Sequence, residues 1–186
     1  MKTQHNKVLS MTITAMLCAI GIMIPQVAPR FVMGPISFTL ASHVSIFIAM
    51  FISPVTAIAV AIVTTLGFLI NGFAPEIVLR AASHLIFAAL GSFLLQKNGG
   101  IMQSMKKATV FSLLIAVVHA VSEVTAVAIF YQITGVTSSS FFKMVIIGVG
   151  AGTLIHSMID FTIAVLVWKP LQHIIMIPAS AKVRVK

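Results

Sequence analysis

VSIFIAMFISPVTAIAVAIV, residues 44–63, is apolar throughout except for Ser45, Thr56 and the dipeptide Ser53-Pro54, and its reading decides the fold. Proline lacks a backbone N–H and clashes with the preceding helical turn, so a helix does not run through Pro54 undisturbed. A reversal at Ser53-Pro54 keeps both flanking segments near bilayer length and predicts two spans, 37–52 and 55–71. A transmembrane helix needs about 20 mostly apolar residues. Working outward on that measure, the remaining spans fall at 8–25, 76–95, 108–130 and 144–167. Pro25, Pro29, Gly34 and Pro35 punctuate the chain between the first and second, and Gly72 with Pro75 separates the third from the fourth.

Composition agrees. Of 186 residues 59% are hydrophobic and 8% charged, and mean hydropathy is +1.12. Soluble domains carry about 25% charged residues, so this chain cannot clothe itself with a solvated surface, and lipid is its expected solvent. The expected fold class is an all-α integral membrane protein of six short helices, one transmembrane substrate-binding domain over residues 1–186. Lys2 and Lys7 before the run from Val8 to Ile24 have the look of a signal peptide. That run is too long for a signal core and lacks a small-residue cleavage site, so it is read as a retained first helix.

Twelve Lys and Arg against three acidic residues give a formal charge of +9, a value that invites a nucleic-acid reading. Placement argues against it. Lys97, Lys106 and Lys107 share one linker, and Lys169, Lys182, Arg184 and Lys186 follow the last apolar run. With Lys2 and Lys7 they make nine on one side, against Arg30 and Lys143 on the other, while Arg80 lies within a span. The positive-inside bias puts both termini in the cytoplasm. The 13 Phe with one Tyr and one Trp lie in apolar runs, not on a base-stacking platform. Cys18, the single cysteine, excludes an intrachain disulfide and reads as a small core residue. No extramembrane segment is large enough for an ATPase, so energy is expected from ions or from a partner, and no cofactor is expected in this chain.

Ionisable groups at membrane depth are costly and usually face a protein interior or a cavity. Glu76, Arg80 and His84 are four apart and form one helical stripe, with Arg80 about 6 to 9 Å below the outer end of its helix. A guanidinium fork matches a carboxylate, so Arg80 is the candidate anchor for an anionic solute; snorkelling, or pairing with Glu76 or Glu123, is the alternative. His119 and Glu123 repeat the pattern on the fifth span, with Ser122 beside them, at a depth like that of Arg80. Gly148, Gly152, His156 and Asp160 continue it on the sixth. The glycines read as a close-packing face, Asp160 as a structural acceptor in the inner half, and His156 as intermediate. Thr39, Ser42, His43 and Asn71 add polar atoms toward the outer ends of their spans. Four intramembrane histidines raise the question of a metal. Without a His-Glu-x-x-His run or paired spacing on one helix, none is expected.

With its size, its six spans with cytoplasmic termini, the run Ala15-Met16-Leu17-Cys18-Ala19, and the polar outer halves of spans four to six, the whole chain resembles the substrate-binding membrane subunits, or S-components, of energy-coupling factor vitamin transporters. The stretches 37–54 and 64–91, including Pro75-Glu76-Ile77-Val78-Leu79-Arg80-Ala81-Ala82-Ser83-His84, look most like niacin or pantothenate members. The resemblance implies capture of a small carboxylate vitamin near the outer face of a bacterial cytoplasmic membrane, under the 26–36 and 71–75 connections. Arg80 would anchor the carboxylate, Phe68 or Phe73 would cover the ring, and niacin is slightly favoured. It implies a transmembrane coupling subunit touching Ala15 and Ala19, and two ATP-binding subunits whose hydrolysis topples the small subunit inward. The rivals are pantothenate as substrate, a dimeric ion-coupled carrier, an intramembrane enzyme, and a structural scaffold. Against the enzyme, Ser42 and His43 are adjacent and not on one helical face, and no other nucleophile–base arrangement stands out.

Overall fold

A computed structural model describes residues 2–33, 36–136, 138–174 and 179–183. Gly34 and Pro35, read above as punctuators, and Arg184 and Lys186, counted among the flanking charges, lie outside them. The order is α1 (Lys2–Val27), strands β1 (Arg30–Met33) and β2 (Ile36–Thr39), α2 (Val44–Ile52), α3 (Pro54–Ile70), α4 (Pro75–Lys97), a 3-10 turn (Gly99–Gln103), α5 (Met105–Ile133), α6 (Ser139–Met144), a π turn (Val145–Val149) and α7 (Gly150–Ile174). Among the described residues, four stretches are long and apolar enough to cross a membrane: Asn6–Val27, Pro75–Lys97, Met105–Ile133, and Ser139–Ile174, in which α6, the π turn and α7 run on as one helical stretch. The protein is a helical, multi-pass membrane protein.

The reversal at Ser53-Pro54 is built as the sequence requires. Ser53 is extended (φ −167°, ψ 159°), ends α2 and begins α3, and its side chain accepts from the Thr56 N–H at 3.1 Å. Pro54 takes the first helical position, where no N–H is needed.

Three features depart from the expected spans. Pro25 does not end the first helix, which runs on to Val27. The span expected at 37–52 is helical only from Val44. Ile36–Thr39 pairs antiparallel with Arg30–Met33, so the all-helical class carries a two-stranded hairpin. Ala41, at φ 65°, turns the backbone out of the right-handed region and separates strand from helix. The third departure is the burial of α2: all nine of its residues are buried, between α1, α3, α4 and α7. A helix apolar on nearly every side belongs in an interior, and this one is enclosed by its neighbours along its whole length.

A short buried helix leaves orphan polar groups at both ends, and each end has a dedicated partner. At the start, the Asp160 carboxylate on α7 accepts the N–H groups of Ala41 and His43, both at 2.9 Å. At the finish, Ser180 and Ala181 donate their N–H groups to the carbonyls of Ile52 and Phe51, both at 3.0 Å. The Trp168 indole N–H holds that tail by donating to the Ala181 carbonyl at 3.1 Å.

The glycine face of the sixth span packs against the hairpin, not against another helix. Gly148 lies under Ile36, and Gly152 under the ring of Phe38. Removing the cap between α2 and α3 by Ser53→Ala should cost about 1 kcal/mol. It should appear as a lowered unfolding temperature in detergent with ligand binding unchanged.

Candidate functional site

Where α1 ends, the hairpin, the start of α2, the α3–α4 connection and the polar stripe of α4 enclose a cavity of about 90 Å³. Arg80 forms one wall and is only 7% exposed. Its guanidinium donates to Glu123 Oε2 at 3.0 Å and to Ser37 Oγ of β2 at 2.8 Å, and lies 5.6 Å from the Phe38 ring centroid. The buried carboxylate of Glu123 also accepts from the Thr153 hydroxyl and meets His84 Nε2 at 3.1 Å. A buried ion pair persists when further hydrogen bonds satisfy its remaining donors and acceptors. Of the two partners considered for Arg80, the structure chooses Glu123.

His84 and His43 line the floor. Their Nε2 atoms are 3.3 Å apart, and His43 Nδ1 is 3.1 Å from Asp160 Oδ2. His119, 0% exposed, stands behind them with Nδ1 3.2 Å from Ser157 Oγ and Nε2 3.5 Å from Glu123 Oε1. His156 reaches the cavity, 3.1 Å from Ser42 Oγ and 3.2 Å from Asp160 Oδ2. Asp160 is the structural acceptor its depth suggests. Phe68 and Phe73 line the mouth as a stacked pair, with centroids 4.5 Å apart and planes 15° off parallel.

Nine residues singled out from the sequence thus meet at one cavity: Thr39, Ser42, His43, Phe68, Phe73, Arg80, His84, Glu123 and His156. His119 sits one layer behind it. Glu76 is half-buried outside the network, and Asn71 turns back to donate to the Gly67 carbonyl at 2.7 Å. Ser37, Phe38 and Thr64 line the cavity but were not picked out. Ser37 and Phe38 belong to a strand where a helix was expected. Thr64, in an apolar run beside Thr65, gave no signal of its facing. Ala15 and Ala19 are exposed on α1, and Ala15 lines a groove shared with Val55, Ala59 and Val63 of α3.

A cavity lined by ionisable side chains in so small a membrane bundle accords with a solute-binding membrane subunit, and the chain belongs to the niacin-type S-components of energy-coupling factor vitamin transporters. The relative that shows this is the niacin transporter NiaX of Lactococcus lactis subsp. cremoris (strain MG1363), 37% identical over 166 residues, which cover 88% of this chain and 74% of that protein. No protein-family model matches the chain, and no solved structure matches it.

Asp160→Ala would orphan two backbone N–H groups and the His43 ring at once. A loss of about 1 to 3 kcal/mol for each unsatisfied group is expected, read by thermal unfolding in detergent. Asp160→Asn, which keeps one acceptor oxygen, should fall between.

Proposed function

We propose that the chain captures nicotinate from outside a bacterial cytoplasmic membrane and delivers it inward as the binding subunit of an ATP-driven energy-coupling factor transporter. The observation that carries the reading is Arg80, a buried guanidinium on the wall of a cavity closed by an aromatic pair, in a chain related to a niacin transporter. A planar ring acid needs both elements: a fork for its carboxylate and a flat apolar cover for its ring.

Kinship with a niacin transporter supports nicotinate over pantothenate, and the cavity as it stands is smaller than either acid. A cavity of about 150 Å³ holds benzene, and this one measures about 90 Å³. A single-ring acid enters when the Phe68–Phe73 pair and the Arg80–Ser37 contact yield a little, whereas the longer amide chain of pantothenate requires a larger opening. Closure of the hairpin and of the α3–α4 connection over the solute then excludes water and strengthens the ion pair.

Both termini are cytoplasmic in this reading, six segments cross or re-enter the membrane, and the cavity faces outward. The transmembrane coupling subunit docks on the Ala15/Ala19 face of α1. Two ATP-binding subunits supply the work, and toppling of this chain carries the vitamin across. Exposure of both alanines, with Ala15 lining a groove, supports that face.

In calorimetry on the purified chain, Arg80→Ala should weaken nicotinate by at least about 30-fold, with Arg80→Lys recovering part of the loss. Full nicotinate affinity in Arg80→Ala would remove Arg80 as the anchor, and a wild-type chain that binds no nicotinate would remove the vitamin assignment. Nicotinamide, which has no carboxylate, should bind about 10-fold more weakly or worse. Proteoliposomes holding this chain alone should bind nicotinate without accumulating it; uptake driven by an ion gradient would point to a secondary carrier instead.

A further inference from the structure

We propose that His43, His84, His119 and Glu123 form a divalent-metal site of the zinc class in the floor of the cavity. Their four ligand atoms lie within 4.8 Å of one another, and all four residues are buried. Zinc bonds of about 2.0 to 2.2 Å to imidazole nitrogen and carboxylate oxygen make the edges of a tetrahedron about 3.3 to 3.5 Å long. Three of the six separations are close to that edge, 3.3 Å from His43 Nε2 to His84 Nε2, 3.1 Å from His84 Nε2 to Glu123 Oε1 and 3.5 Å from His119 Nε2 to Glu123 Oε1, and the rest lie within 4.8 Å.

Hydrogen bonding alone leaves this cluster unsatisfied. Asp160 accepts from two backbone N–H groups, so its contact with His43 Nδ1 puts the proton on that nitrogen and turns an Nε2 lone pair toward the centre. His119 Nε2 is buried and has no hydrogen-bond partner. In one tautomer its lone pair faces the Glu123 carboxylate; in the other its N–H has only a long contact of 3.5 Å to Glu123 Oε1 that does not align as a hydrogen bond. A buried polar atom left this way in a native interior calls for an explanation, such as an ion. One dication at the centre satisfies three nitrogens and the carboxylate together.

The outer layer fits as well. Metal-bound histidines commonly donate their second N–H to a carboxylate or another oxygen. Here His43 Nδ1 faces Asp160 and His119 Nδ1 faces Ser157 Oγ. Imidazoles with one carboxylate in near-tetrahedral spacing suit zinc among the common divalent ions. Access is through the cavity, since His43, His84 and Glu123 line it.

The site stands on geometry and does not depend on the vitamin reading, although it bears on it. The buried charges at the cavity are otherwise the Arg80 guanidinium against the carboxylates of Glu123 and Asp160. A divalent ion inverts that balance and makes the floor attractive to an anion. By linkage, zinc and a carboxylate ligand should then tighten one another.

The test is made on the full chain in detergent, free of tag histidines and stripped with a chelator. It is titrated with zinc by calorimetry and with cobalt(II) by visible absorption. The expected result is one ion per chain, with the intense visible bands of a tetrahedral cobalt centre. His84→Ala and His119→Ala should each weaken zinc by more than about 100-fold, and Asp160→Asn by about 10- to 100-fold. His173→Ala, exposed near the end of α7, should change nothing. Zinc should raise the unfolding temperature of the wild type and not that of His84→Ala. If His119→Ala fails to fold, His84→Gln on the cavity side is read in its place. Zinc binding that survives His84→Ala and His84→Gln, or that disappears with His173→Ala, overturns the site, as does a folded wild type that binds no zinc. Zinc binding without nicotinate binding keeps the site and removes the vitamin reading; nicotinate binding without zinc binding does the reverse.

Discussion

The Asp160 carboxylate is the contact on which the binding end of the molecule depends. Backbone that leaves regular structure at membrane depth survives only where its polar groups find protein or water. Between Thr39 and Val44 the chain does leave it. One carboxylate from α7 takes the N–H groups of Ala41 and His43 and also holds the His43 ring. Placed at the beginning of α2, its negative charge also complements the helix dipole. The break it stabilises makes room for a hairpin above α2, and the hairpin makes the cavity. The carboxylate that permits the fold is therefore the one that orients the binding-site histidine.

Arg80 illustrates how polar groups are kept useful inside a membrane. Its guanidinium is shared between Glu123 and Ser37, one partner fixed on α5 and the other on the hairpin. An incoming carboxylate need not displace the ion pair completely; it can take the donor directed at Ser37. In the proposed binding, a carboxylate taking that donor would exchange a neutral partner of Arg80 for a charged one.

How far the sequence could be read follows from what spacing encodes. Hydropathy and the Ser53-Pro54 reversal located α3, α4 and α5 to within about three residues but began the second span well before α2 and cut the last one short at both ends, and steps of four placed Arg80 and His84 on one stripe of α4, and His119 and Glu123 on one stripe of α5. Such steps report height along an axis and a shared face, but not which way that face turns in the bundle. Arg80 therefore could not be assigned between Glu76 and Glu123, and His119 could not be seen to meet His84 from the next helix. The hairpin was hidden for another reason. Ile36-Ser37-Phe38-Thr39 alternates apolar and polar residues over four positions, too short a strand pattern to stand out beside the apolar run that follows, and the positive φ of Ala41 and the distant Asp160 divide the two. Thr64 and Ser37 were illegible because a lone hydroxyl in an apolar run is common and its facing is set by packing.

The two glycines beneath the hairpin act as a ruler. Side chains on one face of a strand repeat every two residues, about 6.6 to 6.8 Å, and residues four apart on a helix rise about 6 Å. Ile36 and Phe38 therefore fall on Gly148 and Gly152 almost in step. Strand alternation turns Ser37 the opposite way, toward Arg80. A slip of one residue would seat Ser37 and Thr39 on the glycine steps and turn hydrocarbon toward the guanidinium. The identity of the group that meets Arg80 is thus set by two missing side chains on another helix, so a substitution at either glycine would shift Ser37 at the guanidinium without changing a residue in the cavity.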